Sequence, residues 1–439
     1  MAPSTANTTV IALPPTTAHL DIAIAGAGIG GLAAAIALRK HPKVRVTIYE
    51  QATELREIGA SIALGPNGLR TLEKLGVENA LTDEVCFRGS SKFPMIYRHW
   101  KTNEIVSRDV HHTVTDHKHQ TARFHRAHLH QALLANVPPE IVHLKKKVVG
   151  VEAGAETGVT ISFADGTQAK ADFLLGADGI HSNVRKIFVP DHTLHWTGWV
   201  ALRSTFDAKL IEGIPDWGPD RTFFASRLGK GQYTIVGGYD ADPLDPNAPY
   251  RDAQWNGPGD KAILRKYYQD WHPCIRALIE ASPYTRLYPN VAGAPIDRWT
   301  FGGGRVTLLG DAAHTHGGAF AAGGSLAIQD AYAFALALRQ VFPYDAAARP
   351  TPETLARAST LYEETRKPQA NRILKLVHEL IGKQKERVRR AQVETDEELR
   401  ARMINRPDPW WISEHDVEKA FQETVRRLDG KAPEVLARL

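Results

Sequence analysis

The sequence predicts an α/β fold: a Rossmann-like dinucleotide-binding domain, a mixed β-sheet domain inserted into it, and a helical C-terminal region. Three observations carry this. Residues 20–50 run as apolar strand, glycine turn, Ala/Leu-rich helix and second alternating strand, which is a βαβ unit. Residues 196–290 shift toward aromatics, Gly and Pro in short strand-like runs, for example 221–228 and 232–239. Residues 351–439 show charged helical periodicity.

The remaining elements follow from local pattern. Leu69, Leu72 and Leu75 are three apart and predict a helix over 66–75, and 124–135 reads as a second amphipathic helix. Lys101-Thr102-Asn103 and Asp165-Gly166 are hairpin signals, the latter between strands at 159–163 and 169–175. A buried strand at 305–309 leads through Gly310-Asp311 into a long Ala-rich helix ending near 341. The domain boundaries expected are 20–90, 120–190 and 291–350 for the dinucleotide domain, 91–119 and 191–290 for the sheet domain, and 351–439 for the helical region. Residues 1–19, rich in Ala, Thr and Pro, read as a disordered arm without the basic start and apolar block of a secretory signal.

Composition narrows the function. A chain of 439 residues with 43% hydrophobic content can bury the core of an enzyme of two or three lobes. The net charge of +5 is small beside 54 basic and 49 acidic residues, and no zinc, helix-turn-helix or RNP-type pattern accompanies the basic runs, so nucleic acid is not an expected partner. Two cysteines, Cys86 and Cys274, exclude a disulfide framework and a thiolate metal cluster and point to a reducing compartment, the cytoplasm. Seven histidines lie between His111 and His130, but no carboxylate or cysteine spacing completes a metal site. No stretch reaches the roughly 18 apolar residues of a membrane span.

Gly26-Ala27-Gly28-Ile29-Gly30-Gly31 follows the first strand and opens the first helix. Its glycines allow a tight turn and the approach of a pyrophosphate to the positive end of the helix. Glu50, ending the second strand, is placed to accept hydrogen bonds from a ribose 2′-hydroxyl, which favours FAD or NAD over a 2′-phosphorylated nucleotide. A six-residue glycine pattern alone is weak; strand, helix and acid in register make it a dinucleotide site.

Two later stretches, Gly176-Ala177-Asp178-Gly179 running to Arg185 and Leu309-Gly310-Asp311-Ala312-Ala313-His314, complete an ordered set. Together the three stretches resemble the fingerprints of the group A, single-component FAD-dependent aromatic hydroxylases. Residues 54–60, Pro66-Asn67-Gly68, His125-Arg126-Ala127-His128-Leu129 and Trp299 fit the salicylate hydroxylase branch, near fungal phenolic-acid monooxygenases. The resemblance covers roughly 20–380. It implies FAD as the held cofactor, NADH or NADPH as reductant, O2 as co-substrate, and oxygen delivery from the flavin C4a hydroperoxide to a small aromatic, phenolic acid, with expulsion of CO2 where the attacked carbon bears the carboxylate. It further implies that Asp311 contacts the ribityl chain, that Asp178 and Gly179 lie near the pyrophosphate and the NAD(P)H path, and that Arg126 contacts FAD. Gln51, Ala60, Gly310, Gly323, Gly324 and Ser325 complete the expected cofactor set. Where the family carries a proline after the Asp311 motif this chain has Gly318, in a loop reading His314-Thr315-His316-Gly317-Gly318-Ala319-Phe320-Ala321-Ala322-Gly323-Gly324-Ser325.

A phenolate attacks electrophilic oxygen better than a phenol, so a base near the ring is expected. His316 is the first candidate, by its position in the altered loop and the neutral range of imidazole, against a packing role. Tyr239 and Tyr233 follow, against ordinary sheet packing, and Arg203 is expected to face either a carboxylate or the flavin, against structural pairing. Trp410-Trp411 reads as a packed cap or a contact in a chain that is a monomer or a homodimer. An epoxidase of alkenes or polyketides on the same fold and a non-catalytic flavin sensor are the competing readings.

Overall fold

A computed structural model describes residues 10–11, 19–55, 60–214, 223–242, 244–248, 250–389 and 394–430. The opening unit is β1 (Leu20–Ala25), α1 (Ile29–Leu38) and β2 (Val44–Tyr49). There follow β3 (Ser61–Leu64), α2 (Pro66–Lys74), β4 (Ala122–His125), α3 (Arg126–Leu134), β5 (Val142–His143), β6 (Phe173–Gly176) and α4 (Asn183–Phe188). Pro66 stands at the start of α2, where its missing N–H has no helical partner to lose. The inserted region holds β7 (Leu194–Asp207), β8 (Phe224–Arg227), β9 (Gln232–Asp240), α5 (Lys261–Tyr267), α6 (Pro273–Ala281) and β10 (Arg286–Gly293). The chain then returns through β11 (Val306–Leu308) to α7 (Gly323–Val341), and ends in α8 (Pro352–Arg389), α9 (Asp396–Ile404), α10 (Trp410–Ser413) and α11 (Val417–Asp429).

The central sheet has six strands in the order Thr300–Phe301, β11, β6, β1, β2, β5, parallel except for the first. Its middle strands are largely apolar, and their side chains belong to one continuous core with α1, α7 and residues Val159, Ile161 and Phe163 of a small antiparallel sheet. The inserted sheet runs β8, β9, β7, β10, Gly257–Pro258 and is antiparallel at every pairing, in place of the mixed sheet expected. α5 and α6 lie between Gly257–Pro258 and β10, yet the chain returns antiparallel there as well. One face of this sheet packs on α5 and α6 as a second core.

Three local expectations shift. The run at 169–175 divides at Asp172, with Gln168–Ala171 pairing in a small antiparallel sheet and Phe173–Gly176 joining the central one. The Asp172 carboxylate accepts the Asp21 N–H at 2.7 Å and pins that crossing to β1. The Ala-rich helix starts at Gly323 rather than directly after Asp311, because Gly317, Gly318, Phe320 and Ala321 all have positive φ and no α-helix passes through such residues. Of the arm expected over 1–19, only Val10, Ile11 and His19 are among the described residues. Val10–Ile11 form a two-residue strand parallel to Gln168–Ala169, an ordered contact where none was expected. In the 54–60 stretch, residues 56–59 lie outside the described residues.

Candidate flavin and substrate site

The glycine turn ends in a helix whose first turn is left without a side-chain cap. Gly28 is the N-cap of α1, no side chain bonds to the orphan amides, and no acidic residue stands in the first turn. A methyl placed on Gly28 meets nothing within 4 Å, so open space faces a positive helix end. The turn itself is clamped at one peptide. The Ala27 N–H donates to Glu50 Oε2 at 2.7 Å, and the Ala27 carbonyl accepts from Nε2 of buried His130 at 2.8 Å. Glu50 also accepts the Ala52 N–H at 2.8 Å, so the carboxylate expected at the ribose is first a brace for the loop, with lone pairs remaining for hydroxyl donors.

The three motifs converge. A methyl on Gly26, whose φ is +102°, would lie 2.5 Å from the Ala177 carbonyl oxygen, and one on Gly30 would lie 2.8 Å from Leu309 Cδ1. Gly31 sits where a methyl would be 2.0 Å from the Gly26 oxygen, and Ile29 is buried beside it. Arg185 stitches the second motif to the third by donating to the carbonyls of Asp311 at 3.0 Å and Ala312 at 3.1 Å. Asp178 accepts from Ser182 Oγ at 2.5 Å and from the Asn183 and Val184 amides at 2.7 and 3.1 Å. It therefore caps α4, and burial pushes its carboxyl up. Gly179, at φ +75°, borders open space.

Asp311 follows β11 and stands beside the N-terminus of α7. Its side chain is solvent-accessible although protein surrounds it. Burial raises its carboxyl above the ordinary range, while His314, Arg126 and Arg185 pull it back down. A methyl on Gly323, at the start of α7, would stand 3.8 Å from Asp311 Oδ1. Arg126 opens α3, its own N–H donating to the Ala60 carbonyl at 2.8 Å. Gln51 is exposed just beyond Glu50. Gly324 packs on Ile62, and Ser325 Oγ accepts the Gly65 N–H at 3.1 Å, so these two fasten α7 to the start of α2. An uncapped helix end, a carboxylate at the second strand terminus and a solvent-accessible carboxylate beside the start of α7 fit the phosphates and hydroxyls of FAD.

Sequence reasoning missed the network that holds the Asp311 loop. Asp330 of α7, fully buried, accepts from the Gly310 N–H at 2.9 Å, His314 Nε2 at 2.6 Å and Arg366 Nε of α8 at 2.8 Å. Burial alone would raise the Asp330 carboxyl, but His314 and Arg366 hold it well below the ordinary value. Arg366 also donates to Gln369 at 2.7 Å, and Asn67 donates to Gln329 at 3.1 Å and to the Ile412 carbonyl at 3.2 Å. The C-terminal region thus grips the loop from below, with Trp411 beneath the Arg372 guanidinium at 3.8 Å.

The catalytic candidates separate. His316 is buried, its Nε2 bonded to the Ala370 carbonyl at 3.1 Å, and burial pushes it down to about 3. Its bonded nitrogen faces α8, and burial makes the ring a weak proton acceptor. Strand alternation decides the rest. Val200, Leu202 and Phe206 of β7 and Tyr233, Ile235 and Tyr239 of β9 face the core under α5 and α6, so both tyrosines point away from the face that meets the dinucleotide domain. Tyr233 packs on Phe206 and Tyr239 stacks on Tyr267. Arg203 has the opposite parity. That face meets the dinucleotide domain, where Thr234 donates to Ser61 at 3.2 Å and Arg123 lies 5.8 Å from the Phe224 ring. The Arg203 guanidinium stands 5.0 Å from the Tyr288 ring, and its buried Nε has no hydrogen-bond partner. Burial and the nearby Arg126 lower its pKa.

His111, His112, His117 and His119 each face a carboxylate, of Glu414, Asp408, Asp83 and Glu73 respectively. Among the described residues no three His, Cys, Asp or Glu side chains group as metal ligands, and no helix is long and apolar enough to cross a membrane.

Fold and site define a flavin-dependent oxidoreductase. A model of FAD binding domains matches residues 255–375, and one of NAD(P)-binding Rossmann-like domains matches 24–71. The 6-hydroxynicotinate 3-monooxygenase of Bordetella bronchiseptica is 30% identical over 372 residues, 82% of this chain and 90% of that protein. Hispidin-3-hydroxylase of Neonothopanus nambi is 30% identical, covering 80% of this chain and 86% of its own. The fold is shared with a salicylate hydroxylase solved as a substrate complex, at a TM-score of 0.74 and 23% identity over 93% of this chain and 98% of that one. The chain belongs to the group A FAD-dependent aromatic hydroxylases, monooxygenases that draw on NAD(P)H and O2.

Proposed function

We propose that this enzyme hydroxylates a small phenolic acid held between the flavin and the inner face of the inserted sheet, with Arg203 receiving the acid group. The observation that carries this is the Arg203 guanidinium itself. It is a half-buried cation on the side that faces the dinucleotide domain, set over Tyr288, with a buried, unsatisfied Nε and, among the described residues, no carboxylate bonded to it. An uncompensated buried charge is costly, and an anionic ligand relieves it with a charge-assisted bond. The relatives named for hydroxynicotinate and hispidin act on oxygenated aromatic rings, in keeping with this reading.

Bound at the converging motifs, the flavin supplies acceptance of hydride from NADH or NADPH and activation of O2. The chain supplies placement and field. Gly28 and the α1 amides hold the pyrophosphate, Glu50 the ribose, and Asp311 the ribityl hydroxyls. Arg203 and Arg126 favour the ionised phenol as well as the carboxylate, so their charge lowers the phenol pKa without a dedicated base. The enzyme works in the cytoplasm as a monomer or homodimer, with Cys86 and Cys274 as free thiols.

The test is a panel of phenolic acids and matched phenols lacking the carboxyl, given to FAD-loaded enzyme while NAD(P)H consumption, ring hydroxylation and CO2 release are followed. Acids are expected to stimulate turnover and the matched phenols to do so weakly. Equal turnover of both sets removes Arg203 from the reading, and CO2 release with an acid establishes the decarboxylating course.

A further inference from the structure

The loop between Asp311 and α7 holds two adjacent residues in a conformation that their side chains oppose. Phe320 has φ +57° and ψ +8°, and Ala321 has φ +50°. In this left-handed region Cβ crowds the following carbonyl oxygen, so glycine is the usual occupant, asparagine the next, and a bulky ring an outlier. Glycines stand before the pair at Gly317 and Gly318 and after it at Gly323 and Gly324, so the permissive residue flanks these two positions without occupying them. The ring gains little from the fold in return. Phe320 is 38% exposed and belongs to none of the three apolar clusters, and among the described residues no aromatic ring or cation lies against it.

Its neighbours fix where it stands. The His316 backbone bridges to Ala292 of β10, and a methyl on Gly318 would lie 3.7 Å from Asn290 Nδ2. Asn290 is two residues from Tyr288 and shares its face of the sheet, the face on which Arg203 is set over the Tyr288 ring. Residues 319–321 run beside Ser61–Leu64 of β3, and Gly323 stands next to Asp311 Oδ1. The strained pair therefore occupies the stretch of loop that passes from the Arg203 face of the inserted sheet to Asp311. Backbone strain of this kind persists where function uses the side chain it presents.

We infer that Phe320 is a substrate-recognition residue, whose exposed ring is the wall against which the aromatic ring of the substrate lies while Arg203 takes the acid group. This rests on the reading of the cleft as a phenolic-acid site and adds the group that selects a flat, unsaturated ring. Offset or edge-on pairs of aromatic rings gain more than the area they bury, and a saturated ring of the same size does not.

The test compares two probes on FAD-loaded enzyme: the phenolic acid that most stimulates NAD(P)H oxidation and its ring-saturated counterpart, each titrated by the change in flavin absorbance. Phe320→Asn should weaken the acid about tenfold and the saturated probe about threefold or less, whereas Phe320→Tyr should hold both within about twofold of wild type. Asparagine accepts the left-handed backbone, so the Phe320→Asn apoprotein should melt at wild type or up to about 2 °C above it, with FAD affinity unchanged. Wild-type affinity for the acid in Phe320→Asn, equal weakening of the two probes, a loss of FAD affinity or a clearly lowered melting temperature would overturn the inference. A wild-type enzyme that no phenolic acid stimulates instead ends the reading of the cleft, and this inference with it.

Discussion

Replacing Gly28 with alanine separates the binding role of the glycine turn from its folding role. Gly28 has φ −74° and ψ −175°, an extended conformation any residue adopts, and a methyl there meets nothing within 4 Å. The apoprotein therefore loses no contact. Reduced freedom of the unfolded chain should contribute about 0.4–1 kcal/mol, offset by the lower preference for alanine at an N-cap, a cost of about 1 kcal/mol. The same methyl intrudes into the space that faces the α1 amides, where a pyrophosphate must come within hydrogen-bond range. Losing one charge-assisted bond of the strongest kind costs about 3 kcal/mol, more than a hundredfold in affinity at about 1.4 kcal/mol per decade. Gly31→Ala is the contrast, because its methyl would be 2.0 Å from the Gly26 oxygen, a backbone atom that cannot yield without moving the turn. Scanning fluorimetry of the apoproteins together with titration of FAD fluorescence reads both effects. Gly28→Ala should melt close to wild type and bind FAD poorly, whereas Gly31→Ala should already melt low. Wild-type FAD affinity in Gly28→Ala, or an apoprotein as unstable as Gly31→Ala, refutes the assignment of that open space to the cofactor.

Four further outcomes are expected. Arg203→Met should raise KM for phenolic acids about a hundredfold, with a smaller change in kcat and partial recovery in Arg203→Lys, as steady-state kinetics will read. Asp330→Asn leaves Arg366 buried without a counter-charge, at a cost of about 3–5 kcal/mol; the expected result is a lowered Tm and released FAD, both relieved when Arg366→Met is added. His316 titrates near 3 in the fold against 6.5 in its ordinary state. The unfolded chain therefore binds the extra proton between those values, and stability present above 6.5 is lost as pH falls, by up to about 1.4 kcal/mol per unit. Denaturant unfolding of His316→Asn should show a shallower acid dependence while the pH profile of kcat stays in place; a displaced kcat profile would return His316 to the chemistry. Tyr233→Phe and Tyr239→Phe should keep kcat within about threefold of wild type, since both side chains stand in the outer core of the sheet.

What was legible in the sequence and what was not divides along the range of the interactions concerned. The βαβ unit follows from patterns within thirty residues, and the helix ending at Val341 appears where its Ala-rich periodicity ends. The convergence of Gly26, Ala177 and Leu309 could be expected only from the resemblance, because the strands bearing them become neighbours in the parallel sheet through crossovers. Period-two alternation was available for the substrate sheet. Val200, Leu202 and Phe206 form one apolar parity and Arg203 the other, and the tyrosines of β9 join the apolar parity through the pairing of Val200 with Tyr239 and Phe206 with Tyr233. That register is a long-range fact, so a single strand showed the two tyrosines on a common face without showing which face the flavin would meet. His316 illustrates the same limit. Its place in a glycine-rich loop suggested the ring, but its partner is the Ala370 carbonyl, fifty-four residues away on another helix. Asp330 and Arg366 carry no local signal at all, since a charged pair at that separation reads as two solvated helix positions until α7 and α8 are packed together. The groups proposed to face ligand carry local sequence signals, and those that hold the loop in place do not, because positioning in this fold is done by contacts between elements rather than within them.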